Sequence, residues 1–231
     1  MAARWRRRIE SWNWPVEVAG RLVASSFRLG LATSRWTVEG DAEFRAALAE
    51  GPVIVVLWHE HIALGPHFLT RPGAPFVSVR DPSPAGRVGG VVQARFGMHP
   101  IGVRSGGGPA ATRAVLAAAR AGRSLALAAD GPLGPARVLG PAPLDWARVT
   151  GLPVFAFAWA SSRMTRAGSW DRMRLPRLFG RGHAVLRRWP EAVPRKPEPH
   201  ERERLEKSLS ALLTEVTDAA DRAVGMGNGF R

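Results

Sequence analysis

The sequence predicts an α/β fold: a largely parallel, mixed sheet flanked by helices, preceded by an amphipathic N-terminal helix. Three observations carry that prediction. Short uncharged runs at residues 53–57, 124–129 and 154–160 are rich in Val, Ile, Leu, Phe and Ala and sit between turn signals, as strands buried on both faces do. Segments with apolar residues at helical spacing separate them, the alternation of βαβ units. The chain, at 231 residues with 45% hydrophobic and 23% charged, is long enough to enclose one sizeable core.

Residues 1–40 differ from the rest. They hold Trp5, Trp12, Trp14 and Trp36 together with Arg4, Arg6, Arg7, Arg8, Arg21, Arg28 and Arg35. From Pro15, a good first-turn residue, Val18, Leu22, Val23, Phe27 and Leu31 recur at helical spacing. Trp and Arg around such a helix suit the headgroup layer of an anionic membrane, where rings partition and guanidinium pairs with phosphate. The same pattern also fits a helix packed on the domain, its tryptophans filling the groove.

Beyond that segment, Asp41 can cap a helix that runs to residue 49 and is broken by Gly51-Pro52 before the strand 53–57. Residues 76–79 read as a strand and 85–96 as a helix closed by Gly97. A strand at 100–103 leads through a glycine-rich turn into a helix at 109–121, followed by the strand 124–129. A helix at 143–150, a strand at 154–160 and an edge strand at 184–188 complete the core, set at residues 41–190. A proline-rich connector then leads to a terminal helix marked by Leu205, Leu209, Leu212, Leu213, Val216 and Ala220, and residues 225–231 form a tail.

Charge narrows the partners. The net charge is +14, with 33 basic against 19 acidic residues and Lys only at 196 and 207. Part of this follows from a sequence rich in Ala, Gly, Pro and Arg throughout; the rest calls for phosphate in nucleic acid, anionic lipid or a substrate. No helix-turn-helix, RNP or finger signature is present, so nucleic acid is not expected. The absence of cysteine excludes disulfides, thiolate metal sites and a catalytic thiol. The longest uncharged stretch, 149–162, is strand-like and ends at Arg163, so no spanning helix is expected. Arg21 and Arg28 interrupt what a cleaved secretory signal would need.

In open α/β sheets chemistry gathers at the carboxyl ends of the strands. Two strands end here on ionisable residues, at His59-Glu60-His61 and at Asp130-Gly131-Pro132-Leu133-Gly134-Pro135. An imidazole at a strand end is the best general base near neutral pH. If the chain stays extended, His59 and His61 share a face and Glu60 opposes them. Arg104-Ser105-Gly106 precedes a helix, where backbone N–H groups and a forked donor make an anion site. His59-x-His61 also resembles paired metal ligands, but no later His/Asp cluster completes a shell, so no metal is expected.

With these residues in view, the chain resembles the lysophospholipid acyltransferase-like family, in particular a bacterial branch of it. The resemblance rests on Leu57-Trp58-His59, Arg104-Ser105-Gly106, the Asp130–Pro135 block, Gly151-Leu152-Pro153-Val154, Ser169-Trp170-Asp171, Leu175-Pro176 and Phe179-Gly180-Arg181, in the family's order over roughly residues 35–190. It departs at three points, the first being that the family's Arg-Gly-Ser order is permuted here to Arg104-Ser105-Gly106. The wider superfamily places an acid five residues after the histidine, where this chain has Leu64, and the branch has Arg-Asp-Gly where this chain has Arg80-Asp81-Pro82.

The resemblance implies transfer of a fatty acyl group from an acyl thioester, on coenzyme A or acyl carrier protein, to a hydroxyl of a lysophospholipid or related phosphorylated lipid. It implies no cofactor. His59 would be the base, with Asp81, then Glu60, then Asp130 as candidates for its carboxylate partner. Glu60, Arg80, Arg104, Ser105, Gly106, Gly131, Pro132, Gly134 and Arg137 would bind substrate; Arg104 and Arg137 would hold the acceptor or donor phosphate, and N–H groups near the Gly131–Gly134 turn, or an arginine, the oxyanion. Ser169-Trp170-Asp171 reads as a structural turn under the pocket. The expected place of work is the cytoplasmic face of the inner membrane, as a peripheral protein. If no carboxylate reaches His59, the alternative is a lipid- or anion-binding protein on the same fold with impaired turnover.

Overall fold

The computed structural model describes residues 14–102 and 108–226. Arg104, Ser105 and Gly106, the arginines before residue 10, Trp5 and Trp12 lie outside these. The central sheet has seven strands in the order β1-β9-β6-β2-β5-β3-β4. These are β1 (Arg35–Glu39), β2 (Ile54–Leu57), β3 (Phe76–Arg80), β4 (His99–Gly102), β5 (Ser124–Ala128), β6 (Val154–Ser161) and β9 (Arg181–Arg188). β6, β2, β5, β3 and β4 are mutually parallel; β9 runs antiparallel to β6, and β1 lies parallel to β9. A small antiparallel hairpin, β7 (Met164–Arg166) and β8 (Arg174–Pro176), stands apart from the sheet.

Helices cover both faces, as a parallel sheet requires. Helices α1 (Trp14–Ala32), α2 (Asp41–Glu50), α3 (Gly65–Thr70) and α4 (Pro84–Arg95) bury Phe27, Phe44, Phe68 and Val92 against one face. Helices α5 (Gly108–Arg120), α6 (Ala142–Thr150) and α7 (Pro199–Ala223) bury Val115, Leu144 and the Leu205/Leu209/Leu213 stripe against the other. All four residues of β2 and all eight of β6 are buried, which is why their sequences carry no charge.

Three expectations change. The strand at 184–188 is not at the edge: it begins at Arg181 and is covered by β1. Gly182 makes that pairing possible, because any side chain there would meet the Trp36 ring. The 1–40 segment therefore supplies a strand to the core, and the terminal helix α7 is packed into it. Gly40, not Asp41, caps α2; its φ of +80° and its close approach to Leu186 O admit only glycine. α1 packs on the domain along one side and leaves apolar residues exposed along the other. Gly20, Ala24, Phe27, Gly30 and Leu31 face the domain, while Trp14, Val18, Leu22 and Leu29 lie exposed along the opposite side, Leu22 at 67%. Among the described residues no helix is long and apolar enough to cross a membrane.

Candidate active site

β2 delivers the chain to the carboxyl edge of the sheet, where it turns at once into a 3-10 turn, His59–His61. The extended arrangement with two histidines on one face is therefore lost. His59 is partly exposed and His61 fully buried. Asp130 causes part of this turn. It follows β5, the neighbour of β2, and its two carboxylate oxygens accept from the backbone N–H of His59 (2.8 Å) and of Arg137 (3.0 Å). Asp130 thus ties the histidine turn to the Gly/Pro loop through backbone, and no hydrogen bond joins it to the His59 ring. Burial raises its pKa above the usual carboxylate value against those two bonds.

The carboxylate on the ring is Asp171. Its Oδ2 lies 2.6 Å from His59 Nδ1, from a position 112 residues further along the chain. Asp171 sits in the turn between β7 and β8, is itself buried, and its other oxygen accepts from Ser169 Oγ and from the Met173 N–H (3.3 Å). Burial pushes the Asp171 carboxyl up, but the bonds from His59 and Ser169 overcome it and hold the group below its ordinary range. An ionised carboxylate on Nδ1 fixes the tautomer with the proton there and the lone pair on Nε2. The ring is 23% exposed, and Trp170 packs beside it at 5.1 Å between centroids.

Asp81, the first candidate for that role, is engaged elsewhere: its Oδ1 accepts from the Ser83 N–H (2.8 Å) at the start of α4. Leu64, at the superfamily's acid position, is a fully buried core residue. Ser169-Trp170-Asp171 is thus more than a turn, since it places a carboxylate on the His59 ring.

Glu60 is not the partner of the His59 ring; its carboxylate is turned to three arginines. It is 2% exposed, and its carboxylate is filled by Arg137 Nε (2.7 Å), Arg166 Nη1 (2.8 Å) and Arg174 Nε (2.9 Å). Burial disfavours its charge, yet the arginines prevail and keep it ionised, well below the usual glutamate range. Arg166 and Arg174 flank the turn that carries Asp171. The residue next to His59 therefore anchors the hairpin that presents the acid to His59. Arg174 extends the anchor to α7 through Asp221 (2.5 and 2.9 Å) and to β6 through Trp159 O (3.0 Å).

His61 completes the interior side. Burial and the nearby Arg174 hold its pKa well below the imidazole range, so the ring is neutral. Its Nδ1 accepts from the Trp159 N–H (3.2 Å), which leaves Nε2 protonated to donate to Thr217 Oγ1 (3.1 Å). Sequence reasoning missed Asp171, Arg166, Arg174 and Asp221 as parts of the site. Only Asp171 carried a local signal, in its Ser-Trp-Asp setting.

The Gly/Pro loop is tied to the His59 turn through Asp130. Gly131 and Gly134 have φ of +66° and +70°, and any side chain at Gly134 would strike the Trp170 ring. Pro132 is exposed, and Leu133 is 82% exposed at the tip. The Gly131 N–H is taken by Ala128 O (3.3 Å), so it does not serve an oxyanion. Arg137 adopts a φ of +58°, a conformation that costs a non-glycine residue about 1 kcal/mol; its N–H on Asp130 and its guanidinium on Glu60 hold it there. The Arg137 and Arg166 side chains keep 18% and 16% exposure. Arg80 lies apart, packed between Gly90 and Gly102, with its Nε buried and unpaired among the described residues.

No family model and no curated protein matches this sequence. Among solved structures it is similar to the 1-acyl-sn-glycerophosphate (LPA) acyltransferase PlsC from Thermotoga maritima, with a TM-score of 0.53 and 14% identity over 93% of this chain and 80% of that one. At that identity the likeness establishes the fold, which is the one that acyltransferase has.

Proposed function

We propose that the protein is an acyltransferase that moves a fatty acyl group from an acyl thioester, on coenzyme A or acyl carrier protein, to a hydroxyl of a lysophospholipid or related phosphorylated lipid. The observation that carries this reading is the 2.6 Å contact between His59 Nδ1 and Asp171 on a partly exposed ring. A histidine so oriented presents Nε2 as the base. The acceptor hydroxyl gives its proton to Nε2 as its oxygen attacks the thioester carbonyl. The tetrahedral intermediate then expels the thiolate, which takes that proton from the imidazolium, so His59 is restored with no covalent enzyme intermediate. Asp171 stabilises the imidazolium formed between the two steps. The Leu133 and Gly134 N–H groups are the donors we assign to the oxyanion, and Arg137 and Arg166 the forked donors for the acceptor phosphate.

Asp171 supplies on geometry the carboxylate that Leu64 does not, which favours turnover over the binding-only alternative. The test is thioester-dependent acylation of a lysolipid by wild type and by His59→Ala. Loss of the base is expected to lower turnover by roughly 10²–10⁴-fold. Equal rates in the two proteins would remove His59 from the mechanism.

The exposed Trp14, Val18, Leu22 and Leu29 of α1 support a peripheral place on a membrane surface. We propose that this surface is anionic and is the cytoplasmic face of the inner membrane. Deleting residues 1–40 would also strip β1 from the sheet, so point changes are the cleaner probe. Val18→Ser/Leu22→Ser/Leu29→Ser is expected to lose most flotation with phosphatidylglycerol vesicles while keeping the wild-type circular dichroism spectrum. Undiminished flotation would reject the helix as the anchor.

A further inference from the structure

A concavity of about 590 Å³ opens where the C-terminal ends of α1 and α4 meet α3, and none of the residues of the His59 site lines it. Its floor is aromatic, with Trp36, Phe68 and Phe96, the Trp36 and Phe68 rings 5.2 Å apart. Its cations are Arg28, Arg71 and Arg95, all exposed, and no carboxylate lines it. Among the described residues neither Arg71 nor Arg95 makes an ion pair.

Arg28 reaches across from α1 to donate to the Arg95 carbonyl, and its guanidinium lies 5.2 Å from the centre of the Phe96 ring. That fixes one cation at the seam between the two helices and leaves most of its five donors unspent. His67, edge-on to Phe68 and Phe96, is held below its ordinary pKa by burial and by Arg71, so at neutral pH it adds a neutral polar group and no charge. Three guanidinium groups gathered in one hollow without an acid repel one another until an anion enters. Guanidinium forks match phosphate oxygens, and the adjoining rings offer an apolar group a dry surface. The volume lies in the range of small-molecule sites, roughly 300–1,000 Å³.

We propose that this cavity binds a phosphate ester bearing an apolar chain, the phosphate on Arg28, Arg71 and Arg95 and the chain against Trp36 and Phe68. Two sources share this chemistry: a phospholipid drawn from a bilayer, or a soluble phosphorylated amphiphile. Binding is read without turnover, so it stands or falls apart from the acyl-transfer reading.

The experiment compares the full chain with its Arg71→Ala/Arg95→Ala variant, which alters exposed side chains only. Calorimetric titration uses dihexanoyl phosphatidic acid and, separately, inorganic phosphate. The lipid is expected to bind wild type more tightly than phosphate does, and the variant at least about tenfold more weakly, the effect of losing one charge-assisted bond. Flotation with phosphatidic acid vesicles separates the sources. Reduced flotation of the variant assigns the ligand to the bilayer, and equal flotation with weakened short-chain binding assigns it to a soluble amphiphile. Unchanged short-chain affinity in the variant would place the lipid at another site and overturn the proposal. So would no binding by wild type, or inorganic phosphate bound as tightly as the lipid.

Discussion

Replacing Asp171 with asparagine is expected to lower acyl transfer by about 10²-fold or more while leaving the protein folded. The amide oxygen can still accept from Ser169 and from the Met173 N–H, so the hairpin turn keeps its local bonds. What changes is the atom facing the ring. An amide N–H directed at Nδ1 stabilises the tautomer with the proton on Nε2, which removes the lone pair that the mechanism uses. The negative charge that would offset the imidazolium is lost as well. The loss should therefore fall on kcat, with KM for thioester and acceptor changed little, since neither substrate needs to touch Asp171. Asp81→Asn is the matched control and should retain wild-type turnover, because that carboxylate serves the first turn of α4. A rate for Asp171→Asn within about threefold of wild type, alongside an inactive His59→Ala, would leave the base without this partner.

How far this site can be read from sequence depends on distance along the chain. The strands β2, β5 and β6 are visible because burial on both faces leaves them without charge, and His59 and Asp130 are visible as the ionisable residues that end two of them. β1 is harder: in Arg-Trp-Thr-Val-Glu only Trp36 and Val38 turn inward, and its charged residues read as part of the basic N-terminal segment. β7 and β8 are three residues each and carry arginine, so no periodicity can announce them. Yet that hairpin holds the acid. Its place against His59 is set by Glu60, Arg166 and Arg174, whose pairing is a tertiary fact among many arginines. The candidates the sequence offers, Asp81, Glu60 and Asp130, are all bonded elsewhere, and the carboxylate that the anchored hairpin brings to the His59 ring is Asp171.

That anchoring also concentrates stability at one side chain. Arg174→Met is expected to destabilise the protein by about 3–5 kcal/mol, the typical cost of leaving a buried charge without its partner. For a chain of this size that corresponds to a Tm lower by roughly 10 °C. Arg174 is wholly buried and bonds Glu60, Asp221 and the Trp159 carbonyl at once. The two acids do not suffer equally when it goes. Glu60 keeps Arg137 and Arg166, whereas Asp221 has no other cation among the described residues. Arg174→Met/Asp221→Leu should therefore recover part of the loss, as replacing a whole buried pair with apolar groups often does. Acid titration gives a second readout. Glu60 has a folded pKa below its unfolded value, so its stabilisation is full above about pH 4.3 and fades as pH falls toward the folded value. Removing Arg174 takes away part of what depresses that pKa, so the variant should lose less stability than wild type between neutral pH and pH 3. Stability within about 1 kcal/mol of wild type, with an unaltered acid slope, would show that the hairpin is held by something other than this network.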